Sequence, residues 1–126
     1  MQGNRRRDTQ PELAVRSRVH RLGLRYRVDR RPIREVSRSA DLVFPSEHLA
    51  VFIDGCFWHG CEKHFVMPST NVGYWSEKIG GNRTRDIETD RLLADHGWRS
   101  LRYWEHEDAS DVALDIYERV RGAVPR

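Results

Sequence analysis

Apolar residues follow two different periods along this chain, and the changes of period mark its elements. Thr9-Gln10-Pro11-Glu12 has a threonine followed three residues later by a glutamate, which makes a capping box, and Val15, Val19 and Leu22 follow at helical spacing before Gly23. Tyr26 and Val28 then alternate with polar neighbours as a first strand. An arginine-rich loop containing Pro32 leads to the apolar run 40–44, broken only by Asp41. Pro45-Ser46-Glu47-His48 reads as a turn, so residues 49–53 should pair back as the next strand. Residues 74–79 look helical, Gly80-Gly81 weaken the helix, and residues 82–96 resume it with Ile87 and Leu93 facing inward and Gly97 as a stop. Residues 99–104 form a last strand. Ser110 caps a final helix in which Val112, Ile116 and Val120 recur at every fourth position. The expected order is α-β-β-β-α-β-α, with no repeat or low-complexity tract, in an α/β chain.

Length and composition narrow this picture. A chain of 126 residues with 38% hydrophobic content fits one compact domain, expected to span residues 1–126, with a modest core. It has no run of about 18 apolar residues and no charged-then-apolar amino-terminal signal, which argues against a membrane span or export and makes the cytoplasm the expected compartment. The net charge of +3 hides an asymmetry. Residues 1–38 carry twelve arginines against Asp8, Glu12, Asp29 and Glu35, whereas every residue charged at neutral pH in 105–118 is acidic. Clusters such as Arg5-Arg6-Arg7 and Arg30-Arg31 suit phosphate contacts, and a solvated charged surface would look the same.

The candidate chemistry concentrates in residues 52–64, which hold both cysteines and two of the six histidines. Cys56, Cys61 and His64, with four and then two residues between them, let three ligands converge from a short loop on one tetrahedral zinc. The fourth ligand is His59 or His106. His106 is favoured, because it leaves His59 free for chemistry and makes the ion a staple between loop and sheet edge. A disulfide or two ordinary buried thiols is the alternative.

Carboxylates supply the second cluster. Asp41 inside an apolar strand is costly to bury unless it is paired or bound to a metal, so it is either a ligand or the partner of a buried arginine. Asp54 ends the next strand, and a hairpin register would bring the two together. Glu12 is a capping residue or a third acid near the same edge, and such hard oxygen ligands are what Mg²⁺ prefers. His59 lies five residues beyond Asp54, and a neutral imidazole there can take a proton from water. Asp86 is placed to orient that histidine, or is simply an exposed helical acid. Phosphodiester hydrolysis needs an activated water, a metal and an acid for the leaving oxygen, and Asp41, His59 and Mg²⁺ supply them. Phe57, Trp58 and Trp75 are core residues, or wedges of the kind that part base pairs.

These residues stand in an order that is similar to a known family. Asp54-Gly55-Cys56-Phe57-Trp58-His59-Gly60, Pro68 with Thr70-Asn71, Tyr74-Trp75 with Lys78-Ile79, Asn82 and Arg85-Asp86, and Gly97-Trp98 with Trp104-Glu105 resemble the very-short-patch-repair (Vsr) DNA mismatch endonucleases over nearly the whole chain. The resemblance implies a restriction-endonuclease-like (PD-(D/E)xK) fold, a mixed central β-sheet flanked by helices with a zinc-stabilised loop. It also implies an enzyme that nicks one strand 5′ of the thymine in T:G mismatches, which arise by deamination of 5-methylcytosine. On the same basis Asp41 and the Ile53 carbonyl hold Mg²⁺, His59 is the general base, Glu12 lies near the metal, and Asp86 supports the histidine. Zinc falls on Cys56, Cys61, His64 and His106, and Phe57, Trp58 and Trp75 intercalate. Asp54 stands where the best-known members commonly have histidine, as an extra acid of the metal site or a replaced hydrogen-bond partner. The zinc loop is rearranged too, with Cys61 then His64 where those members have His then Cys, and His106 where they have Cys.

The expected partner is double-stranded DNA carrying a T:G mismatch, met by a monomer, with hand-off to mismatch-repair proteins and a repair polymerase. Two other functions fit the same residues: a nuclease of the same fold without a mismatch requirement, and a zinc-stabilised DNA-binding module without catalysis.

Overall fold

The computed structural model describes residues 10–55 and 69–121. Among these residues three helices and four strands follow one another as α1 (Gln10–Arg21), β1 (Arg27–Arg30), β2 (Ala40–Phe44), β3 (Leu49–Asp54), α2 (Val72–Asp95), β4 (Arg99–Trp104) and α3 (Ala109–Arg121). The strands form one sheet in sequence order. The first two pairings are antiparallel, and β4 lies parallel to β3. A parallel neighbour requires a crossover, and α2 lies within that connection.

The apolar runs in β2 and β3 lack alternation because both faces of these strands are covered. Leu42, Phe44, Leu49 and Val51 pack with Val15 and Val19 of α1 and with Val112 and Ile116 of α3. Val43, Ala50 and Phe52 pack on the opposite side with Val36 and with Leu93 of α2. The result is a mixed sheet flanked by helices. The two helices of the first face are tied together by Arg18, whose Nε donates to the Ser110 hydroxyl at 2.9 Å. Tyr103 of β4 donates its hydroxyl to Asp115 of α3 at 2.6 Å, and burial with that carboxylate raises its pKa well above the ordinary tyrosine value.

Four sequence expectations are corrected. Gly80-Gly81 do not interrupt the helix, because α2 runs unbroken for 24 residues, about 36 Å at 1.5 Å per residue. Ile87 does not face inward and is 63% exposed. The buried stripe of α2 is Ile79, Asp86, Thr89 and Leu93, so the inward position falls on Asp86, one residue or about 100° away. That also removes the reading of Asp86 as an exposed helical acid. Ser110 is not the cap of α3. Asp108 is, with Oδ1 accepting from the amides of Ser110 and Asp111 at 2.8 and 3.2 Å. The expected capping threonine of α1, Thr9, lies outside the described residues. No helix among them is long and apolar enough to cross a membrane.

The packing predicts a contrast between two leucines. Leu42→Ala, in the fully buried face of β2, should cost about 2–5 kcal/mol in urea unfolding. Leu114→Ala, at 42% exposure on α3, should stay within about 0.5 kcal/mol. Equal losses would contradict this assignment of the core.

Candidate active site and metal centre

The site begins where β2 and β3 part. Their paired residues are Phe44 with Leu49, Val43 with Ala50 and Leu42 with Val51. Beyond that point the Ile53 amide donates to Asp41 Oδ2 at 2.5 Å, so a side chain takes the place of a main-chain acceptor. The bond comes from the main chain rather than from the buried arginine that was the alternative partner for Asp41.

On its other side Asp41 faces an acid that sequence reasoning passed over. The register of β1 on β2 pairs Val28 with Leu42 and Arg30 with Ala40, which leaves Asp29 opposite Asp41. Like charges placed opposite each other across two strands destabilise a sheet. Asp29 also has φ of 50°, a left-handed conformation that Asp tolerates better than most residues. Glu12 of α1, only 5% exposed, completes the cluster. One oxygen from each of Glu12, Asp29 and Asp41 lies within 4.8 Å of the others. Burial pushes the Asp41 carboxyl up to about 8; the Ile53 amide opposes this, while the charges of Glu12, Asp29 and Asp54 add to it. Arg16 moderates the cluster from one side, with Nη2 3.4 Å from Glu12 and 3.7 Å from Asp29. Three hard oxygen donors that repel one another form a set that suits Mg²⁺, since a divalent cation would turn their repulsion into attraction.

Asp54, expected as an extra acid of the site or a replaced hydrogen-bond partner, is bonded by an arginine. Arg102 of β4 is the register partner of Phe52 and lies over its ring, 4.1 Å from the centroid. Its Nη1 donates to the two Asp54 oxygens at 3.2 and 3.4 Å, and its Nε donates to both Asp90 oxygens at 3.0 Å. Asp86 Oδ1 lies 3.6 Å from Nη1, and Arg38 reaches the same oxygen at 3.5 Å. Burial works against the charge on Arg102, yet the three acids more than offset it and hold its pKa above the usual value. The structure therefore brings Asp54 and Asp86 together on an arginine that sequence reasoning missed.

The remaining expected residues divide by position. Trp75 is partly buried in the first turn of α2, edge-on to Tyr74 with centroids 4.9 Å apart. His106 is exposed just beyond β4, its ring parallel to that of Trp104 at 6.5 Å. Cys56, Phe57, Trp58, His59, Cys61 and His64 lie outside the described residues.

Comparison with known proteins adds to this geometry. Residues 1–64 match the family model described as DNA mismatch endonuclease Vsr. A type II nicking enzyme, V.NaeI of Lentzea aerocolonigenes, is 46% identical over 120 residues, covering 94% of this chain and 72% of that protein. A second, V.XorIIP of Xanthomonas oryzae, is 42% identical over 116 residues, 91% of this chain and 83% of that protein. The DNA mismatch endonuclease Vsr of Escherichia coli is 34% identical over 114 residues, 86% of this chain and 71% of that protein. The mixed sheet flanked by helices is compatible with these matches, and the chain belongs to the Vsr family of DNA endonucleases.

Proposed function

We propose that this chain nicks one strand of duplex DNA on the 5′ side of the thymine in a T:G mismatch, in a Mg²⁺-dependent reaction that initiates very short patch repair. The observation that carries the reading is the convergence of Glu12, Asp29 and Asp41 at the fork of β2 and β3, in a chain 34% identical to a DNA mismatch endonuclease. Asp41 holds the cation, with the Ile53 carbonyl beside it and Glu12 close by. When bound, Mg²⁺ supplies positive charge against the phosphate oxygens and an acidic water for the leaving oxygen. His59 takes the proton of the attacking water, and Asp86 supports that side of the centre. Phe57, Trp58 and Trp75 enter the stack at the T:G pair, where unstacking costs less than at a matched pair. The exposed arginines of residues 25–34 supply charge for the phosphate backbone.

A structural zinc on Cys56, Cys61, His64 and His106 fits the topology. Because β4 runs parallel to β3, Asp54 pairs with Trp104, and the Glu105 amide donates to the Asp54 carbonyl at 2.9 Å. Cys56 and His106 each lie two residues beyond that pair. A zinc there ties the loop to the sheet, and its loss should unfold the loop. Cys56→Ser should lose bound zinc by atomic emission and melt at lower temperature; unchanged zinc content would remove this site.

Strand-specific nicking of duplexes that differ by one T:G or T:A pair, with Mg²⁺ or EDTA and in several flanking contexts, tests the function. Cutting 5′ of the mismatched thymine only with Mg²⁺ is expected, and Trp75→Ala should narrow the T:G to T:A rate ratio. Equal cutting of both duplexes would instead support a nuclease without a mismatch requirement, and binding without cutting a non-catalytic module.

Asp41 also predicts a pH effect of definite sign. Its folded pKa of about 8 lies above its ordinary value of 3.8, so its contribution to stability is present in acid and lost as pH rises from about 4 to 8. Asp41→Asn keeps an acceptor for the Ile53 amide and cannot ionise. In metal-free protein at pH 8.5 it should melt roughly 5 °C higher than wild type, the shift that about 1 kcal/mol produces in a domain of this size. The same variant should lose nicking by about a hundredfold or more with little change in DNA binding. A variant that melts lower, or that nicks at the wild-type rate, would contradict the assignment.

A further inference from the structure

Asp54 raises the proton affinity of Asp41 through space, so it belongs to the electrostatic surroundings of the acidic cluster. It is nevertheless outside the group of Glu12, Asp29 and Asp41, whose oxygens lie within 4.8 Å of one another. Its two oxygens instead accept from Arg102 Nη1. That guanidinium is itself fixed on four sides. Asp90 takes its Nε edge, with one oxygen also 2.9 Å from Nη2. The Asp86 main-chain oxygen accepts from Nη2 at 3.4 Å, the Asp86 carboxylate lies 3.6 Å from Nη1, and the Phe52 ring lies against its face. An arginine held in this way has little freedom to release Asp54, and a planar fork suits several carboxylates at once better than an ammonium does.

We infer that Arg102 is a positioning residue that holds Asp54 away from the cation, so that Glu12, Asp29 and Asp41 form the site and Asp54 acts on it only through space. The inference rests on the cation-site reading above and deepens it. Without the Arg102 charge, the net charge beside the site falls by one unit, and the cation is attracted more strongly. A change of one unit charge near a divalent ion in a screened, partly buried setting shifts affinity by roughly fivefold.

Binding of Mn²⁺, followed by its electron paramagnetic resonance signal and by calorimetry in the absence of DNA, reads this directly. Arg102→Met should tighten Mn²⁺ binding by roughly fivefold, and Asp54→Asn should weaken it by a similar factor while leaving one ion bound. In the double variant R102M/D54N the two effects should cancel to near the wild-type affinity, whereas a merely structural arginine would leave the double variant as weak as Asp54→Asn alone. If Arg102→Met fails to fold, Asp54→Asn still decides. Loss of Mn²⁺ binding in that variant would make Asp54 a ligand and overturn the inference, as would unchanged affinity in folded Arg102→Met. Asp41→Asn separates the two levels: weakened Mn²⁺ binding supports the cation site, whereas wild-type binding would overturn the cation-site reading itself.

Discussion

Asp41 accepts a hydrogen bond from the Ile53 amide at the place where β2 and β3 part, and the rest of the site depends on that bond. It satisfies a main-chain donor that the ladder no longer pairs, which lets the two strands separate without leaving a buried amide unmet. The separation puts a carboxylate where a ladder bond would otherwise lie. Around it the pairing of β1 sets Asp29 opposite, and α1, packed through Val15 and Val19, carries Glu12 to the same point. Each acid arrives on a different element, so the tertiary fold builds the cluster and no local motif does.

Such a cluster works against the fold that makes it. Burial and like charges push the Asp41 carboxyl up to about 8, and a group so shifted destabilises the folded state when it ionises. The chain limits this cost with two arginines at different places. Arg16 touches Glu12 and Asp29, and Arg102 gathers Asp54, Asp86 and Asp90 on the side of β4 and α2. Asp41 itself is left with a main-chain donor. The acid that most needs a countercharge is the one proposed to receive it from a metal ion, and residual strain of this kind is characteristic of functional sites.

Much of the fold was legible from the order of apolar residues, because β2, β3 and β4 are short runs with clear turns or stops between them. What was not legible depends on register or phase. Asp29 sits in an arginine-rich segment without a motif, and its role follows from its place opposite Asp41 and its positive φ. Arg102 reads as a polar position in a strand, and its carboxylate partners stand 12 to 48 residues away in sequence. The choice between Ile87 and Asp86 turned on a phase of about 100°, and hydrophobicity alone favoured the wrong one. Asp41 and Glu12 stood out in the sequence because a lone acid in an apolar strand and one after a helix start are local anomalies. Asp54 was placed beside Asp41, whose proton affinity it raises, and its bond to Arg102 could not be read from sequence. The Cys/His loop carried the most informative motif, and its roles rest on spacing and family likeness.

The central claim is that repulsion among Glu12, Asp29 and Asp41 is what a divalent cation relieves. The most direct measurement is the carboxyl ¹³C chemical shift of Asp41 against pH, recorded with and without Mg²⁺. The account predicts a midpoint near pH 8 without the ion, falling below neutrality when Mg²⁺ is added. A midpoint in the ordinary aspartate range, or one that Mg²⁺ does not move, would contradict it.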